Sequence, residues 1–126
     1  MDTSRAGLIL FTERYDECVA FYLRVLGLSV WFSKPELTCF RFGDAYLMVE
    51  RGGVAAPGEK SRAMSPLVLR LNVVDIQAAC ATLHERGVGG AAVTRFAWGD
   101  IVHLLDPDGN SIQLCQWPAD RAIPQF

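Results

Sequence analysis

Apolar positions along the chain change period several times, and each change marks an element. Residues 6–12 (AGLILFT) form a short apolar run that predicts a strand. Apolar residues then recur at 15, 18, 19, 22, 23 and 26, the spacing of one face of an amphipathic helix. Asp16 and Glu17 fall in its first turn, where they suit the macrodipole, and Gly27 follows as a left-handed stop. Residues 28–33 predict a strand carrying Trp31 and Phe32, which alternation sends to opposite faces. Lys34-Pro35-Glu36 is a turn, residues 37–42 a strand, Gly43-Asp44 a hairpin turn, and residues 45–50 the strand after it. The order is β-α-β-β-β.

Residues 51–66 break the pattern. They hold three glycines, two prolines and several charges without a period, as a linker does. Then the order recurs. Residues 67–74 predict a strand. Residues 75–86 predict a helix with Asp75 as N-cap, apolar residues at 76, 79, 80 and 83, and Gly87 as the stop. Residues 91–98, 101–105 and 111–117 predict three more strands, with Gly99-Asp100 a turn matching Gly43-Asp44. Asp106-Pro107-Asp108-Gly109-Asn110 joins the last two. Pro presets φ there, Gly and Asn tolerate positive φ, and Asp bonds its own backbone.

A period of about 60 residues is too long for a solenoid and fits two fused copies of one module. The expected fold class is α+β: tandem βαβββ modules forming a curved, cup-like mixed sheet with helices on its outer face. The modules span about residues 5–50 and 67–117 of a single domain, and residues 118–126 form a tail. The concave face is the natural place for a ligand.

Composition narrows the partners. The 126 residues are 51% apolar and 21% charged, with a net charge of −2, as expected of one compact soluble domain. No face concentrates Lys and Arg, so nucleic acid is not an expected partner. No apolar run nears the ~20 residues that span a bilayer, so no membrane partner is expected. Residues 1–5 (MDTSR) lack a basic start and an apolar stretch, which predicts a cytoplasmic protein. Cys18, Cys39, Cys80 and Cys115 have no close ligand spacing and sit among apolar neighbours. They read as reduced, buried hydrophobes rather than as a zinc site or a catalytic thiol.

Two stretches carry a resemblance: the helix end Phe21-Tyr22-Leu23-Arg24-Val25-Leu26-Gly27-Leu28 and the turn Asp106-Pro107-Asp108-Gly109-Asn110. With the duplicated module, they resemble the vicinal oxygen chelate superfamily over about residues 5–117. That superfamily includes glyoxalase I, the extradiol dioxygenases, and the fosfomycin and bleomycin resistance proteins. The resemblance implies metal-ligand positions in the first and last strands of each module, which fall here at Gly7, Glu50, Val68 and Gln113. Only Glu50 is a typical ligand, so no metal and no other cofactor is expected. The two histidines, His84 and His103, do not occupy those positions.

The candidate ligand-binding residues are therefore Glu50, Arg70, Gln113 and His103, walled by Tyr46, Met48, Phe11 and Trp31, with Phe40 and Trp98 as further wall candidates. Each has a plainer reading. Glu50 also reads as a strand-end acid in water, and His103 as an edge histidine. Arg70 interrupts an apolar run and needs an acid or an anionic ligand; a structural pair with Glu50 would satisfy it. Gln113 also reads as a residue that merely bonds its neighbours. The first functional reading is a homodimeric protein of the bleomycin-resistance type that binds or sequesters a small organic ligand without metal. The alternatives are an enzyme of the same superfamily, a glyoxalase-like lyase or isomerase or a dioxygenase, with an atypical metal site or none, and an interaction domain without a ligand.

Overall fold

The computed structural model describes residues 1–118, so the expected tail lies, from residue 119 on, outside the described residues. Eight strands form two four-stranded mixed sheets. The chain divides into two compact units, Met1–Lys60 with Leu105–Asn110, and Ser61–Leu104 with the chain from Ser111. The division falls inside the expected linker.

The first unit runs β1 (Gly7–Thr12), α1 (Tyr15–Ala20), β2 (Val30–Lys34), β3 (Leu37–Phe42) and β4 (Ala45–Arg51). Its sheet order is β1-β4-β3-β2, with β1 parallel to β4 and the other pairs antiparallel. β4 alternates: Leu47 and Val49 are buried, while Tyr46, Met48 and Glu50 are half-buried. The helix covers the buried face with Tyr15, Cys18 and Tyr22. Each large apolar side chain so buried contributes about 1.5–3 kcal/mol.

The helix does not keep α geometry to its end. After Ala20 it widens into a π-helical stretch, Phe21–Val25, in which Leu26 N–H reaches Phe21 O at 3.1 Å. Gly27 then turns left-handed at φ 71°, as expected of the stop.

The second unit repeats the order with β5 (Leu69–Asn72), α2 (Ile76–Glu85), β6 (Val93–Phe96), β7 (Gly99–Leu105) and β8 (Ser111–Gln116). Its sheet order, β5-β8-β7-β6, matches the first, and β5 is parallel to β8. Asp75 caps α2 by accepting from Ala78 N–H at 3.1 Å. Ile76, Cys80 and Leu83 are the buried stripe.

Two local expectations are corrected. The turn equivalent to Gly43-Asp44 is Ala97-Trp98, not Gly99-Asp100, because Phe96 pairs with Gly99 as Phe42 pairs with Ala45. The shared Gly-Asp had drawn the alignment two residues off register. Trp31 and Phe32 also do not divide between faces. The β2–β3 register shifts between Val30 and Phe32, and this bulge lets the two rings meet edge-on at 5.6 Å.

Candidate functional site

In each sheet the face away from the helix carries the candidate residues. In the first unit, register places Gly7, Ile9 and Phe11 of β1 beside Tyr46, Met48 and Glu50 of β4. On the other side of β4 lie Arg41, Cys39 and Leu37 of β3. Directly paired residues share a face. Phe11 remains 50% exposed and Trp31 42%, so this face is apolar yet open. The Trp31 ring lies 6.1 Å from that of Tyr46, and the Arg5 guanidinium sits 4.5 Å over Trp31. Thus Phe11, Trp31, Tyr46, Met48 and Glu50, five of the eight candidates, occur together. The Glu50 carboxylate has no ion-pair partner among the described residues.

The second unit holds the other three. Arg70 and Gln113 are register partners on β5 and β8. Arg70 donates to Gln113 Oε1 through Nε at 3.0 Å and Nη2 at 2.8 Å. A neutral carbonyl, and not a carboxylate, is thus the side-chain partner that Arg70 has among the described residues. Its guanidinium lies 5.3 Å from the Trp98 ring, which stacks on Phe96 at 5.4 Å. Counting back through the hairpin from the Asp106–Asn110 bond sets exposed His103 opposite Gln113. The other histidine, His84, bonds the Ala91 carbonyl at the end of α2.

The donor set does not fit the superfamily's metal. A Cβ at Gly7 would come within 2.2 Å of the Tyr46 ring, so Tyr46 fills the space a ligand side chain would need there. Gln113 Oε1 already faces a guanidinium. Among the described residues no three His, Cys, Asp or Glu side chains gather as a metal site.

Sequence reading treated Asp106–Asn110 as a turn and missed what its carboxylates do. Asp108 is fully buried, and its two oxygens accept Glu13 N–H at 2.8 Å and Arg14 N–H at 2.9 Å. It thereby supplies the N-terminal cap of α1 that Arg14 cannot. Asp106 accepts Tyr22 Oη at 2.7 Å, Asn110 Nδ2 at 2.8 Å, and the N–H groups of Asp108 and Asn110 at 2.9 Å each. The two sequence signatures therefore meet in the Tyr22–Asp106 bond. The linker closes the cluster, with Ala56 N–H on Asp108 O and Lys60 N–H on Gly109 O, both at 2.9 Å. Gly109 sits at φ 88°, and a Cβ there would lie 2.2 Å from Gly58 O, so only glycine fits. The sequence marks a pair of acids within a turn next to apolar strands, but nothing local in it names their partners.

This cluster also fixes the chemistry of its neighbours. Burial, and then the Asp106 charge, raise the Tyr22 phenol well above its ordinary value. Burial, and then the Asp106 and Asp108 charges, push the Cys18 thiol far up. Burial raises Cys39 and Cys115 as well. All four cysteines are free and buried, and the raised thiols of Cys18, Cys39 and Cys115 are poor nucleophiles and metal ligands.

Comparison with known proteins agrees with this architecture. The Glyoxalase/Bleomycin resistance protein/Dioxygenase superfamily matches residues 6–114, and the chain belongs to it. No curated protein matches the sequence. Among solved structures, a glyoxalase/bleomycin resistance protein/dioxygenase from Nocardioides is similar at TM-score 0.72 and 15% identity, over 100% of this chain and 91% of that one. TnmS3, an antibiotic binding protein from Streptomyces sp. CB03234, is similar at TM-score 0.70 and 24% identity, over 93% and 98%. Lactoylglutathione lyase from Agrobacterium tumefaciens is similar at TM-score 0.64 and 19% identity, over 92% and 95%. These identities speak for the fold alone. No helix among the described residues is long and apolar enough to cross a membrane.

Proposed function

We propose that this protein binds a small organic ligand on the helix-free faces of its sheets, without metal, and sequesters or carries it. The observation that carries this reading is the exposure of Phe11 and Trp31 beside Tyr46, Met48 and Glu50 on one face. Exposed apolar clusters of this kind, rimmed by polar groups, mark binding surfaces. The likeness to an antibiotic binding protein points the same way. The two modules act as one domain in this reading, the protein works in the cytoplasm, and the working form is a homodimer.

A thermal-shift screen against antibiotics and aromatic metabolites tests the proposal. The expected result is a class of planar organic compounds that raises Tm in a concentration-dependent way. Added Zn²⁺, Ni²⁺, Mn²⁺ or Fe²⁺ should leave no stoichiometric ion after dialysis. One tightly held ion per chain would overturn the metal-free reading. Turnover of a hit compound would replace binding by catalysis, and a broad library without a hit would remove the ligand altogether.

A further inference from the structure

We infer that Arg70 and Gln113 form a receptor for a carboxylate on an aromatic ligand. The inference rests on the proposed binding function and names the ligand's chemical class at one face.

The pair leaves several donors unspent. Arg70 offers five N–H donors, and its Nε and Nη2 edge points at Gln113 Oε1. Nη1 has no partner among the described residues, and the side chain is exposed. The same two bonds orient the Gln113 amide. With Oε1 held by a guanidinium, Nε2 must point away from it, and Nε2 also has no partner among the described residues. The face therefore presents fixed donors from two neighbouring strands, one of them charged, with no acceptor to meet them among the described residues.

A carboxylate beside Arg70 would neutralise it and close the site to an anion. Here the partner among the described residues is neutral, so it leaves the positive charge of Arg70 in place. Trp98, stacked on Phe96, lies beside the guanidinium and supplies a flat apolar surface. Phe96 and Trp98 are 49% and 41% exposed, leaving area for a ring to cover. Donors plus charge plus an aromatic plate suit a planar acid: the carboxylate takes the Arg70 and Gln113 N–H groups while its ring lies on Trp98. A cationic ligand would meet repulsion, and a neutral amide would accept from Arg70 without the ion pair that a carboxylate adds.

The test titrates the whole chain by calorimetry with 2-naphthoate, naphthalene-2-carboxamide and 2-naphthylmethylammonium. The acid should bind about tenfold or more tightly than the amide, and the ammonium least. Arg70→Met should remove the preference for the acid, bringing naphthoate affinity down to that of the amide. Arg70→Lys keeps the charge but not the two-pronged hold on Gln113, so it should restore only part of the preference. Gln113→Glu retains a partner for Arg70, neutralises it and adds like charge, so it should abolish naphthoate binding in a folded protein. Should Arg70→Met fail to fold, Gln113→Glu carries the test. Equal binding of acid and amide by the wild type, or full naphthoate binding by Gln113→Glu, overturns the inference and leaves ligand binding standing. Binding of none of the three, with no hit in the wider screen, overturns both.

Discussion

Two polar clusters in this protein use similar groups to opposite ends. In the Asp106–Asn110 turn, both carboxylates are buried and both are bonded to several donors. Nothing is left over for a ligand. In the Arg70–Gln113 pair, the guanidinium is exposed, its partner is neutral, and N–H donors on both residues have no acceptor among the described residues. A saturated cluster holds a fold together, because removing any member leaves buried groups unpaired. An unsaturated, exposed one contributes little to stability and can bind what completes it.

The largest effect is expected at Asp106. Asp106→Ala would leave Tyr22 Oη, Asn110 Nδ2 and two backbone N–H groups without their acceptor. It should cost about 3–5 kcal/mol in urea unfolding, as expected when a buried charged partner is removed. Asp108→Ala uncaps α1 and should cost about 2–4 kcal/mol, read the same way. Gly109→Ala forces a Cβ against Gly58 O at positive φ and should cost about 1–3 kcal/mol. A loss below about 0.5 kcal/mol at Asp106 would show that the cluster is not what holds this turn.

Alkaline pH offers a gentler probe. Tyr22 and Cys18 keep their protons in the folded protein well above their ordinary values of 10.0 and 9.0. The unfolded chain then binds fewer protons than the folded one, so stability falls as pH rises. Their contribution is fully present below pH 9 and is lost through the range above it, by about 1.4 kcal/mol per pH unit for each group. Tyr22→Phe should flatten the part of this slope that begins near pH 10. An unchanged slope would remove Tyr22 from the account. The smallest stability effect belongs to the other cluster: Arg70→Met should change unfolding free energy by no more than about 0.5 kcal/mol, while altering the binding of aromatic acids.

How much of this the sequence disclosed follows the range of the interactions. Periodicity found both modules, both helices and Asp75 as a cap, because those signals lie within a few residues. It placed Tyr46, Met48 and Glu50 on one face because strands alternate. It misplaced Trp31 against Phe32 because a bulge breaks alternation without a mark in residue type. It aligned Trp98-Gly99-Asp100 wrongly because a shared dipeptide outweighed strand register. Asp108 capping a helix 94 residues earlier in the chain was invisible, since nothing local links those positions. The sequence shows that Arg70 needs a partner, but only the parallel pairing of β5 with β8 selects Gln113.

The most direct test of ligand binding at the open second face is the indole N–H spectrum of the protein, which has three tryptophans. On titration with 2-naphthoate, the Trp98 signal should shift and saturate, while that of the same residue in Gln113→Glu stays in place. A Trp98 signal unmoved in the wild type, or moved equally in Gln113→Glu, would contradict the account.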